Sequence, residues 1–265
     1  MVLFAADLDN TLVYSRRRLT ELAAEKNFSF PDDFICVECI DGQGCGYMSR
    51  RTVRMLAELR AKMGFVPITT RSLAQYRRMA FPAEIMPHFA LVANGALLLC
   101  DGATDATWQN KTKAVAALAR NELLRLAEKL AADYAFRGKP PQLIDDIFLF
   151  VRVANDADFD AALLRVRNAT RLCVGTSGRK IYIFPDNMDK GTALDRLKKL
   201  TAASFVFAAG DSPLDLPMLQ KSDCAFVPNV NIGNELLSVD KIICDGKGLF
   251  SEQILEHISR RFDAG

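Results

Sequence analysis

Asp7-Leu8-Asp9-Asn10-Thr11 sets two carboxylates two residues apart directly after the apolar run Val2 to Ala6. Side chains two apart on a strand face the same way. A turn after Asp7 would let both carboxylates converge in the crevice beyond the sheet edge, where open α/β sheets bind ligands; the same residues also suit an Asx turn followed by a Thr helix cap. Thr69-Thr70-Arg71 ends a second apolar run, Phe65 to Ile68. Its hydroxyls and backbone N–H groups at a helix start are suited to holding an anion, and equally to a plain N-cap. Lys190 stands just before a helix whose apolar face is Leu194, Leu197 and Leu200, a place where a lysine is ordinarily solvated. Gly210-Asp211-Ser212-Pro213-Leu214-Asp215 follows Phe205 to Ala209 and brings two more carboxylates to a strand end.

These residues need a scaffold that delivers strand ends to one edge. Short apolar runs ending in polar residues recur ahead of helix-like stretches: Val2 to Ala6, Phe65 to Ile68, Ala90 to Ala93, Ser204 to Ala209, Asp223 to Val227 and Lys241 to Cys244. That alternation predicts a parallel α/β sheet. An amphipathic helix is expected from about Ser49 to Met63, with Val53, Leu56, Leu59 and Met63 on one face. From Ala96 to Asp189 the texture changes to a long helix from about Thr112 to Tyr134, ended by Gly138-Lys139-Pro140-Pro141, then strands Ile147 to Val153, Leu172 to Gly175 and Lys180 to Phe184 with a short helix near Phe159 to Val166. The fold class read from this is α/β: a Rossmann-like parallel core formed discontinuously by residues 1–97 and 185–265, carrying an inserted α+β module at 98–184. Between residues 14 and 48, Phe34 to Ile40 and Cys45 to Met48 flank Asp41-Gly42-Gln43-Gly44 and predict a hairpin.

Composition bounds the partners. The 265 residues, 50% hydrophobic and 25% charged, can build a sizeable core of one large or two unequal domains. Thirty-four basic against 32 acidic residues give a net charge of +2, with no charge block longer than Arg16-Arg17-Arg18, so neither nucleic acid nor an anionic membrane is expected as partner. The seven cysteines are scattered through apolar stretches and read as reduced thiols. Cys36-x-x-Cys39 with Cys45 lacks a nearby fourth ligand, the only histidines being His88 and His257, so strand alternation is preferred to zinc. No basic leader precedes Asp7 and no apolar run approaches the roughly 18 residues of a membrane span. A cytoplasmic soluble protein is expected, and the oligomeric state is left open.

The joint order of Asp-x-Asp, then Thr, then Lys, then Gly-Asp with a further Asp, each at a strand end or helix start, resembles the haloacid dehalogenase (HAD) superfamily of aspartate-nucleophile phosphohydrolases along nearly the whole chain. Asn94-Gly95-Ala96, Asp189-Lys190-Gly191-Thr192-Ala193-Leu194 and Asp215-Leu216-Pro217-Met218-Leu219 are similar to the sugar-phosphatase subgroup. In that subgroup, related to sucrose-phosphate and mannosylglycerate-type phosphatases and phosphomannomutases, the cap lies between the second and third motifs. The resemblance implies the HAD fold with a cap and a Mg²⁺-dependent phosphatase acting on a small soluble phosphate ester, with a sugar phosphate as the expected substrate and a phosphosugar mutase as the alternative. It assigns Asp7 as nucleophile and Asp9 as proton donor and later base. Mg²⁺ would be held by the Asp7 and Asp211 carboxylates and the Asp9 backbone carbonyl, with Asp215 orienting that shell or Lys190. Thr69 and Lys190 would bind phosphoryl oxygens, with Thr70, Arg71 and Asn94 as further substrate contacts. Among the cap cations Arg137, Lys139, Arg152, Arg179 and Lys180, Arg179 is preferred, because it sits in a turn between two cap strands. Three departures stand out: Asn10 replaces the usual Gly, Leu214 replaces an Asn near the metal, and the 14–48 stretch is long.

Overall fold

Val2–Ala6 (β1) is apolar on both faces, as a strand buried between two layers requires: Phe4 and Ala6 pack into one hydrophobic cluster and Leu3 and Ala5 into the other. The computed structural model describes residues 1–26, 28–133, 136, 140–153, 158–236, 238–244, 246 and 248–263. After β1 come β2 (Tyr14–Ser15), α1 (Arg16–Lys26), β3 (Phe34–Ile40), β4 (Gln43–Ser49), α2 (Arg50–Leu59), β5 (Gly64–Pro67), α3 (Leu73–Tyr76), β6 (Phe89–Val92), β7 (Leu97–Cys100) and β8 (Ala103–Thr104). The inserted region holds α4 (Ala106–Ala131), β9 (Gln142–Ile144), β10 (Phe148–Arg152), α5 (Phe159–Ala169), β11 (Cys173–Ser177) and β12 (Lys180–Phe184). The chain closes with α6 (Lys190–Thr201), β13 (Phe205–Ala209), α7 (Leu216–Gln220), β14 (Cys224–Val227), α8 (Val230–Asn234), β15 (Asp240–Ile243) and α9 (Phe250–Asp263).

The central sheet is parallel throughout, in the order β15-β14-β13-β1-β5. The expected strand Ala90 to Ala93 departs from this pattern: β6 touches the parallel sheet through an Ile68–Leu91 bridge and otherwise pairs antiparallel with β7, which pairs with β8. The cause is the turn at Ala93, Asn94 and Gly95, all at positive φ (52°, 60° and 88°), which reverses the chain where a helix would be needed for a parallel crossover.

The cap is an antiparallel sheet, β11-β12-β10-β9. Its outer face, Leu149, Val151, Ile181 and Ile183, packs with Leu123, Leu126 and Leu130 of α4 and Ala162 and Val166 of α5. The inner face, Phe148, Phe150, Tyr182 and Phe184, packs with the core. Helix α4 begins earlier than its apolar stripe indicates, because Asp105 caps it by accepting from the Trp108 N–H at 2.6 Å, and Trp108 is buried in the core beside Leu98 and Leu194. The expected helix end at Tyr134 and Gly138 lies outside the described residues.

Strands β2, β4 and β3 form a separate three-stranded sheet. The expected hairpin is β3 and β4, with β2 added on the other side of β4. Helix α1 is not apparent from the sequence, because it opens on three arginines and is anchored, among the described side chains, by Leu19 and Leu22, against Tyr14, Phe34, Tyr47 and Leu249.

Candidate active site

Strands β1 and β13 end level with one another, Ala6 opposite Ala209, and the Asp7 N–H continues the ladder to the Ala209 carbonyl at 2.9 Å. Asp7 and Asp211 therefore leave the sheet side by side. Lys190 is delivered to the same edge by α6, whose N-cap Asp189 accepts from the Gly191 and Thr192 N–H groups. Its ammonium donates to Asp7 Oδ1 and Asp215 Oδ1, each at 2.5 Å. Asp215 is fixed from its other side, Oδ2 accepting from the Ser212 N–H at 3.0 Å and hydroxyl at 2.8 Å. Carboxylate oxygens of Asp7, Asp211 and Asp215 all lie within 4.8 Å of one another.

Lys190 is only 1% exposed, so the charges around it act with little screening by water. Burial works against the ammonium, but Asp215 and Asp7 outweigh it and hold its pKa above the ordinary lysine value. Burial also pushes the Asp7 carboxyl well up; Lys190 opposes that shift, and Asp215 and Asp211 add to it. Asp211 is pushed to about 7, by burial first and then by Asp215. Three neighbouring carboxylates against one ammonium leave this edge short of positive charge.

Asp9 does not join that cluster. Its carboxylate is gripped by Arg71, Nε to Oδ2 at 3.0 Å and Nη2 to Oδ1 at 2.8 Å, while its backbone pairs with Val13. Arg71, expected as a free anion contact, is thus already engaged, and its third contact is Glu38 at 2.7 Å. Thr69 is fully buried, its hydroxyl accepting from the Arg71 N–H at 3.2 Å and its N–H donating to Leu91. Thr70 lies close to Tyr182 of the cap, a phenol that burial pushes to about 12. Asn94 donates to the Met188 carbonyl at 3.2 Å, clasping the two connections into and out of the insertion, and its buried Oδ1 has no partner among the described residues. Asn10 adopts φ 62°, the left-handed conformation that asparagine tolerates, and its side chain lies near Asp211, whose charged form it favours.

The cap cations separate. Arg179 occupies the β11–β12 turn, its carbonyl accepting from the Val153 N–H. Arg152 alternates with buried Val151 and Val153, which puts it on the inner face with Phe150, in register with Lys180. Arg137 and Lys139 lie outside the described residues. The sequence reading missed Glu38 and Tyr182; the one available signal for Glu38 is an acid placed between Val37 and Cys39 in an otherwise apolar strand.

No family profile matches the sequence, and no curated protein matches it. Solved structures do. The sucrose-phosphatase of Synechocystis sp. PCC6803, in complex with sucrose and phosphate, aligns over 99% of this chain and 98% of its own with a TM-score of 0.66 at 18% identity. A HAD subclass IIB sugar phosphatase aligns over 99% of both chains with a TM-score of 0.58 at 13% identity, and a trehalose-6-phosphate phosphatase related protein over 99% of both with 0.56 at 12%. The chain has the fold of the haloacid-dehalogenase-type phosphatases, a Rossmann-like parallel core with an α+β cap.

Proposed function

We propose that the protein is a phosphoric monoester hydrolase that cleaves a small soluble phosphate ester, with a sugar phosphate as substrate and Asp7 as nucleophile. The observation that carries this reading is the Lys190 ammonium held between Asp7 and Asp215, with Asp211 completing a carboxylate cluster at the C-terminal edge of a parallel sheet. An Asp7 oxygen attacks phosphorus, the bond from phosphorus to the ester oxygen breaks, and Asp9 gives its proton to the departing alkoxide. Lys190 and Thr69 hold the phosphoryl oxygens in line. Asp9 then takes a proton from water, whose oxygen displaces phosphate from Asp7 and restores the carboxylate.

The donor set fits Mg²⁺, because hard oxygen ligands are present and the Lys190 ammonium, bound to Asp7 and Asp215, is shared among three carboxylates. The Asp7 and Asp211 carboxylates and the Asp9 carbonyl would hold it, with Asp215 bound to Lys190 behind them. When bound there, Mg²⁺ would supply positive charge to offset the phosphoryl group and the carboxylates around it. Tyr182 of the inner cap face comes close to Thr70, which supports a substrate small enough to fit between cap and core; among the described residues no helix is long and apolar enough to cross a membrane.

A panel of phosphorylated metabolites assayed with Mg²⁺ tests the proposal. Release of inorganic phosphate from sugar phosphates is expected; sugar-phosphate isomerisation without phosphate release would make the enzyme a mutase, and turnover of none of the esters would reject the reading.

A further inference from the structure

We propose that Glu38, from the long segment between the first two motifs, is a positioning residue for Asp9, acting through Arg71. The inference rests on the reading of Asp9 as the proton donor. Glu38 is 5% exposed, and a carboxylate is buried so deeply only when its oxygens are paired. Both are. Oε2 accepts from Arg71 Nη1 at 2.7 Å, and Oε1 accepts from Arg78 Nη2 at 3.0 Å and Nε at 3.2 Å. Arg71 presents Nε and Nη2 to Asp9 and Nη1 to Glu38, so its planar guanidinium is fixed on two sides. The Asp9 end of this two-pronged pair is about half exposed while Arg71 is mostly buried, so the guanidinium is the fixed member and Asp9 the one that it holds. Glu38 anchors the guanidinium from its buried side.

The backbone holds Glu38 in place as firmly as its partners do. The β3–β4 register shifts on either side of Glu38, and the opposing residue is Gly46, where an added Cβ would lie 3.0 Å from Glu38 Cβ. Glu38 also bridges Met79 while Val37 accepts from the Ala80 N–H at 2.8 Å, tying β3 to the segment after α3. The 14–48 segment thus delivers one negative charge to the second layer of the site, and the charges alternate from Glu38 through Arg71 to Asp9.

Proton donation matters most when the leaving group is a basic alkoxide and little when it is a stable phenolate. The test therefore compares hydrolysis of p-nitrophenyl phosphate with that of the fastest sugar phosphate, in wild type and Glu38→Gln. For the sugar phosphate kcat should fall about tenfold to hundredfold with KM within about threefold, while p-nitrophenyl phosphate turnover stays within about threefold. In an Arg71→Met background Glu38→Gln should cause no further loss, and a crystal structure of Glu38→Gln should show Arg71 off Asp9. Should Glu38→Gln not fold, Glu38→Asp, which keeps the charge but withdraws it by one methylene, carries the same comparison. Equal losses on both esters, additive losses in the double variant, or an unmoved Arg71 would overturn the inference. Absence of any Asp7-dependent turnover would instead reject the phosphatase reading, and the crystal structure would still decide whether Glu38 positions Arg71.

Discussion

Leu214 fills the space that a side chain at Gly175 would need: a Cβ built there would lie 2.2 Å from Leu214 Cδ2. Gly175 is in the middle of cap strand β11, opposite Tyr182, and Leu214 sits beside Asp215, so cap and core meet as a knob in a hole next to the acid that holds Lys190. The residue that in sequence looked like a lost polar neighbour of the metal is a cap contact. Gly175→Ala should therefore cost about 1–3 kcal/mol by overpacking, and combining it with Leu214→Ala should recover much of that loss. Urea midpoints of the two single variants and the double check it; a Gly175→Ala protein as stable as wild type would mean that Leu214 swings aside and does not lock cap to core.

Lys190 is the one cation between two buried carboxylates. Lys190→Met removes it with little change of volume, and leaving buried charges unpaired costs about 3–5 kcal/mol. Turnover should disappear as well. Because Asp7, whose charge burial already disfavours, can then accept a proton, part of the stability should return at acid pH, which urea titrations at neutral and acid pH will show. A Lys190→Met protein of unchanged stability would mean that these carboxylates have another partner.

Asp7→Asn keeps the shape and removes the attacking oxygen, so turnover should vanish. Burial already disfavours the Asp7 charge, and the neutral amide should raise the thermal midpoint even as activity is lost. Asp9→Asn should behave differently, accumulating a phospho-enzyme detectable by intact mass, because Asp7 can still attack while water is no longer activated. Activity at the wild-type level in Asp7→Asn would refute the nucleophile assignment.

The motifs that lie at strand ends were legible because the local pattern determines them: an apolar run must stop where Asp7, Thr69 and Asp211 begin, and helix α6 must start at Lys190. Their convergence follows from one parallel sheet. What stayed hidden depends on contacts distant in sequence. Glu38 reaches Arg71 and Arg78 across more than thirty positions, and its identity as a site residue has no periodicity to mark it. Tyr182 reads as one more aromatic in a buried strand until the cap is folded onto Thr70. Helix α1 is carried by tertiary burial of Leu19 and Leu22, not by an apolar stripe, and the Thr112 start expected for α4 overlooked the Asp105 cap. In each case the deciding interaction is tertiary or a cap.

The pH dependence of stability should reveal the cation site without an assay of activity. An Asp carboxyl ordinarily titrates near 3.8, and in the folded protein Asp211 is pushed to about 7, chiefly by burial. As pH rises from 3.8, the unfolded chain loses this proton first, so the folded state loses stability steadily until about pH 7, above which the full cost is present. Mg²⁺ reverses that cost by compensating the ionised carboxylate, but below pH 7 it must first displace the proton. Millimolar Mg²⁺ should consequently raise the thermal midpoint strongly at about pH 8 and hardly at about pH 5. Asp211→Asn should be the more stable protein at the higher pH without metal, and should lose most of the response to Mg²⁺. Thermal melts of wild type and Asp211→Asn at both pH values, with and without Mg²⁺, make the comparison. An equal Mg²⁺ shift at the two pH values, or one that survives intact in Asp211→Asn, would place the cation elsewhere.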